Sequence, residues 1–124
     1  MIKIKLIVGF MFLLNVLTQA QAHHSFNALF DVSNTISITG QVVEFKFIAP
    51  HSYIQLAETD DNQTQVIWEV ETTTPGMLSR RGVTPMTLQP GQSITVTGNP
   101  TRDGRKLIRL LTITMPDGQQ LQIQ

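Results

Sequence analysis

Three histidines are the residues of this chain best equipped for chemistry, and they fall in two places. His23 and His24 are adjacent, and His51 follows Pro50. The adjacent pair comes directly after Ala20-Gln21-Ala22, which puts small residues at the two positions a signal peptidase reads. Cleavage after Ala22 would make His23 an N-terminus. The α-amine and ring Nδ1 of an N-terminal histidine can close a chelate on one metal ion, and His24 adds a second imidazole. A free α-amine titrates near about 7.7–8, so a metal can displace its proton close to neutrality. Nitrogen-rich, tetragonal sites suit Cu(II) best among common divalent ions. His51 is the natural third imidazole. The expected metal set is therefore His23, His24 and His51, and the expected ion is copper. The competing reading is a solvated terminus, with His51 doing no more than ordering a turn.

A second candidate is Arg80-Arg81, with Glu71 nearby in sequence. Paired guanidinium groups can grip a carboxylate or phosphate on a ligand. The ordinary alternative is that basic residues favour a helix C-terminus, and that Arg81 pairs with Glu71 across a helix–strand junction. Glu69 and Glu71 share one side of a strand and could form a carboxylate pair. Ser25 beside His24 makes no triad, because nothing marks an orienting acid or an oxyanion hole. There is no phosphate loop, no dinucleotide fingerprint and no HExxH. Asn62-Gln63-Thr64 matches a glycosylation sequon, a frequent coincidence.

Composition narrows the field. The chain has 124 residues, nine Lys plus Arg, nine Asp plus Glu and no Cys. That length suits one domain. The absence of Cys excludes a disulfide framework, a thiolate metal site, a Cys nucleophile and a lipoprotein anchor. Residues 1–22 read as a cleaved signal peptide: Lys3 and Lys5 open it, and Leu6 to Leu17 is an apolar run. That run is about 12 residues, short of the roughly 20 that span a bilayer. Removing 22 of the 124 residues leaves 102, with seven basic and nine acidic side chains and a net charge of −2. A mildly acidic chain with few aromatics argues against a nucleic-acid partner. No membrane span is expected after cleavage. In a two-membrane bacterium the destination is the periplasm.

Stepping outward from the candidate residues, the elements that must hold them are short strands. In Thr35 to Phe47 the apolar set switches from Ile36, Ile38 and Val42 to Val43, Phe45 and Phe47. A strand that changes its buried face needs a bulge or bend, and Gly40 sits just before the switch. Ser52, Ile54 and Leu56 alternate with polar neighbours, as do Val66, Trp68 and Val70, and Asp60-Asp61-Asn62 turns between them. Thr74 is a helix N-cap with Pro75 at the first helical position, and Gly82 stops that helix. Ser93 to Gly98 and Lys106 to Met115 are further strands, the latter switching parity at Leu111. A short tail strand carries Leu121 and Ile123. Three strands, one short helix and two strands is the order of the OB fold, a five-stranded Greek-key β-barrel. The alternative is a small β-sandwich. The expected domain is residues 23–124, with a leader over 23–34. This leader would reach back along the barrel if Phe26, Leu29 and Phe30 dock it.

Several short motifs stand in a specific order: His23-His24-Ser25-Phe26, Phe30-Asp31, Gly40-Gln41-Val42, Pro50-His51 and Trp68 followed by Glu71. Then come Leu78 with Arg80-Arg81-Gly82, Leu88 with Pro90-Gly91, Ile94 to Gly98, and Pro116-Asp117-Gly118. In these the chain resembles a family of small exported bacterial proteins of unknown function, across nearly all of residues 23–123. It departs from the family pattern at Ala49, where Asn is usual, and at Val83, where Trp is frequent. The resemblance implies a periplasmic barrel-like module and places every histidine inside a family motif. It implies no activity.

Three functions compete. The first is a non-catalytic periplasmic copper-binding protein. The second is a metal-independent barrel that binds a small ligand or a periplasmic protein through Arg80, Arg81 and Glu71. The third is an enzyme, for which no second set of residues defines a substrate cleft. The protein is expected to be monomeric.

Overall fold

The structure, a computed structural model, describes residues 27–124. The expected signal segment, its cleavage site, His23, His24 and Phe26 lie outside the described residues. Residues 27–29 are helical, and after them six strands and one further helix follow in order: β1 (Ile36–Lys46), β2 (Tyr53–Thr59), β3 (Gln65–Glu71), α1 (Pro75–Arg80), β4 (Ser93–Pro100), β5 (Leu107–Thr114) and β6 (Gln120–Gln122).

The sheet runs β3-β2-β1-β4-β5 with antiparallel neighbours, and β3 pairs in parallel with β5, from Glu69↔Leu107 to Glu71↔Arg109. That seam closes a five-stranded barrel. This is the OB topology, with α1 between β3 and β4 as expected. The sandwich alternative is overturned, because one continuous sheet returns to its own edge. β6 extends the sheet beyond β5 over Thr112–Thr114.

Alternation makes the core. Ile54 and Leu56 of β2, Val70 of β3, Val96 of β4 and Ile108 and Leu110 of β5 are fully buried, while their sequence neighbours, except the buried Ala57, are at least partly exposed. Trp68 lies in the same cluster, and its Nε1 donates to Glu58 Oε2 at 2.7 Å. Lys106 Nζ sits 4.7 Å above its ring.

Both parity switches are bulges. Val42 pairs with Leu56 and Glu44 with Gln55, which leaves Val43 as the extra residue of β1. Leu110 pairs with Gly98 and Thr112 with Thr97, which leaves Leu111 as the extra residue of β5. The first bulge thus falls just after Gly40, at the expected switch. Gly40 serves a different need: a Cβ there would run into the carbonyl of Ala57 on β2. Gly98 is similarly pressed against the carbonyl of Arg109.

Helix α1 follows its sequence signals. Thr74 Oγ1 accepts from Met77 N, Pro75 opens the helix, and Gly82 takes a φ of +82° just beyond it. The leader is docked by Phe30, which is fully buried and bridges Thr101. Arg102 clamps it: the backbone N donates to Leu29 O, Nε donates to Asn27 O, and Nη1 lies 3.6 Å from Asp31 Oδ1.

Candidate functional site

In neighbouring strands, residues paired across the ladder share a face. Tyr53 pairs with Glu71, Glu71 with Arg109, and Arg109 with Asn99. Their chain neighbours Ile54, Val70 and Ile108 fill the core, so this row lies on the outside of the barrel. It crosses the parallel seam. At its far end Asn99 is buried beneath the leader, and its Nδ2 donates to Asn34 O at 2.8 Å.

His51 joins the row through Glu71, whose Oε1 lies 2.9 Å from His51 Nδ1. A carboxylate only accepts, so this contact favours a hydrogen on Nδ1 and leaves Nε2 as the ring nitrogen not held by Glu71. His51 is about half exposed and Glu71 largely covered. Burial depresses the basicity of the Arg109 guanidinium, and the negative charge of Glu71 works against that shift.

The backbone next to His51 is pinned. Ser52 is fully buried; its N donates to Thr73 O and its carbonyl accepts from both Thr72 N and Thr72 Oγ1. Ser52 Oγ donates to Ile48 O at 3.1 Å, across the turn that holds the cis Ala49–Pro50 peptide. The imidazole therefore projects from a fixed anchor, not from a loose loop.

The predicted residues are distributed unevenly. His51 and Glu71 come together, although they were assigned to separate sites by sequence. The expected ion pair between Arg81 and Glu71 does not form: Glu71 is engaged by His51 and faces Arg109. Arg81 forms the C-cap of α1, and its backbone N donates to Met77 O and Leu78 O. Arg80 is exposed, with Nη1 3.8 Å from Met77 Sδ. Glu69 and Glu71 share the outer face, but only Glu71 has a basic partner. Among the described residues no three His, Cys, Asp or Glu side chains form a metal-sized cluster. Arg109 was missed by sequence reasoning. Its signal was a cation standing between Ile108 and Leu110 in an otherwise apolar strand.

Fold and site together define a small OB-type barrel with an external polar row and a carboxylate-oriented histidine. Residues 11–108 match a family described as "Family of unknown function (DUF6152)", and the chain belongs to that family. No curated protein matches its sequence. Among solved structures it is similar to a chain of the "Crystal structure of yeast Stn1 and Ten1", at 19% identity and a TM-score of 0.43. That likeness covers 65% of this chain and 42% of the other, so the present chain spans less than half of its length. No described helix is long and apolar enough to cross a membrane.

Proposed function

We propose that the protein is an exported, non-catalytic barrel that binds Cu(II) through the processed terminus His23-His24 and the Nε2 of His51. The observation that carries this reading is the 2.9 Å contact between His51 Nδ1 and Glu71. A histidine that ligates a metal through one ring nitrogen commonly donates the other N–H to a carboxylate, which fixes tautomer and orientation. The path of the leader supports it as well. Asn27 O accepts from Arg102 Nε, the neighbouring Thr101 N donates to Leu107 O, and Leu107 pairs with Glu69. β3 is thus two strand spacings, about 10 Å, from the strand end where the leader docks. The periplasm is the compartment this reading requires.

The test is copper titration of processed protein by calorimetry and electron paramagnetic resonance, with intact mass to fix the cleavage point. One alanine inserted before His23 is expected to weaken binding and change the spectrum. An unchanged affinity and spectrum would sink the terminal-amine site. A second reading rests on Arg80 and Arg81, an exposed cationic pair with no ion pair among the described residues. There the barrel would hold an anionic ligand or a protein without metal. Unchanged recovery of partners after Arg80→Ala with Arg81→Ala, in chelator, would remove that reading.

A further inference from the structure

Strand β6 lies outside the five strands that close the barrel. It pairs with β5 on one side, and no other described strand or helix lies against it. The ladder fixes which way its backbone points. Met115 N donates to Gln119 O and Ile123 N to Leu111 O, each at 2.8 Å, so residues 119, 121 and 123 turn their main-chain polar groups toward β5. The N–H and C=O groups of Gln120 and Gln122 therefore point away from it. Both Gln side chains are exposed on the outer face, and Leu121 is partly buried on the inner face against the core.

Solvent satisfies that edge, so its meaning lies in what it lacks. Sheet edges are commonly guarded by a lysine, a proline or an inward charge. Where β3 has not yet met β5, Lys106 lies over Trp68. Gln119-Gln120-Leu121-Gln122-Ile123 has no charge, no proline and no glycine. The adjoining outer face is uncharged as well: Gln122 continues a row from Thr97 and Thr112, and Gln120 a row from Thr95 and Thr114. A two-fold axis makes a strand meet its own sequence reversed. With the axis at Leu121, Gln120 faces Gln122 of a second copy, and Gln122 faces its Gln120. Both positions carry outward N–H and C=O groups, so this register closes four main-chain hydrogen bonds. Leu121 meets its own copy on the inner face. Any charge at 120 and 122 would meet a like charge here, whereas the glutamines meet amide to amide. We propose that the protein forms a symmetric dimer by antiparallel pairing of β6 with β6 of a second copy, which joins two barrels through one continuous sheet. This departs from the monomer expected from sequence and does not rest on copper. So short an edge buries little area, which makes the dimer transient, with a Kd of roughly 10 µM to 1 mM.

The test follows the isotope-labelled processed chain by NMR in chelator, from about 50 µM to about 1 mM. The rotational correlation time is expected to rise with concentration, with shift changes centred on Gln120 and Gln122 and slower exchange of their amides. Gln122→Pro removes two of the four hydrogen bonds but none within the barrel, since that N–H faces away from β5. It should leave the melting temperature unchanged and hold the chain monomeric. Gln120→Lys with Gln122→Lys should do the same, as should Gln120→Glu with Gln122→Glu. Mixing the two double variants should restore pairing at least to its original strength. A correlation time that stays constant up to about 1 mM overturns the proposal and leaves the edge to a strand of different sequence. Association undiminished in both Gln122→Pro and the double Lys variant also overturns it, because the contact then lies elsewhere. A mixture of the double variants that stays monomeric overturns it too.

Discussion

The imidazole of His51 has one nitrogen committed to Glu71 and one left open, and that asymmetry makes a sharp prediction. If copper binds there, Glu71→Gln keeps the shape of the side chain but loses the charge that favours an Nδ1–H. Affinity should fall by about 10–100-fold, as for other groups that orient a ligand from behind. His51→Ala should cost at least as much, and isothermal titration separates the two. Copper affinity unchanged in both variants would show that His51 is not a ligand. Another residue-scale prediction concerns Asp31, whose carboxyl is held below its ordinary value of 3.8 first by the hydrogen bond from Ser33 and then, less strongly, by Arg102. A lowered folded-state value means the stabilisation is complete above about 3.8 and is lost as pH falls through the lower, folded value. Asp31→Asn should therefore flatten the acid limb of melting temperature against pH and leave the neutral limb nearly level. At this scale the sequence reveals the histidines, because they are few and stand beside a cleavage signal and a proline. It conceals the joining of Glu71 to Arg109, because that pairing is parallel and links distant segments, whereas His51 meets Glu71 through the register of the β2–β3 hairpin.

Elements were more legible than contacts. The helix announced itself through Thr74, Pro75 and Gly82, each acting on local backbone geometry alone. Alternation marked the strands for the same reason. Bulge positions were legible as well: the parity switches fall at Val43 and Leu111, the two residues that the ladder pairing leaves over. Gly40 looked like a hinge and is instead a close approach. Gly40→Ala should destabilise by about 1–3 kcal/mol, because the added methyl meets the Ala57 carbonyl and one of the two strands must yield. Urea denaturation measures it, and a change within experimental scatter would show that β1 and β2 can separate there freely. Phe30 is the apolar peg of the leader. Phe30→Ala should cost about 3–5 kcal/mol by the same assay. It should also expose the Asn99 side chain, detectable as faster amide exchange near Asn34.

For the whole molecule, the order of strands and helix was enough to nominate the barrel, but a sandwich buries alternate residues equally well. What decides between them is the seam from Glu69↔Leu107 to Glu71↔Arg109, and no local pattern encodes it. A single core built on one closed sheet should unfold in one transition, with fluorescence of Trp68 and far-ultraviolet dichroism coincident in urea. Two separated transitions would mean that the hairpin of β2 and β3 opens independently. The seam also has a meaning in time. It joins the middle of the chain to a strand near its end, so most of the polypeptide must be present before it can form. Refolding should accordingly fall in the range of milliseconds to seconds, not microseconds. Until Leu107–Thr114 arrives, β3 and β4 each offer an unsatisfied backbone edge to any neighbouring chain. A ribosome that pauses short of β5 would therefore produce an adhesive intermediate, and the yield of intact protein should depend on how quickly the segment from Leu107 onward is delivered.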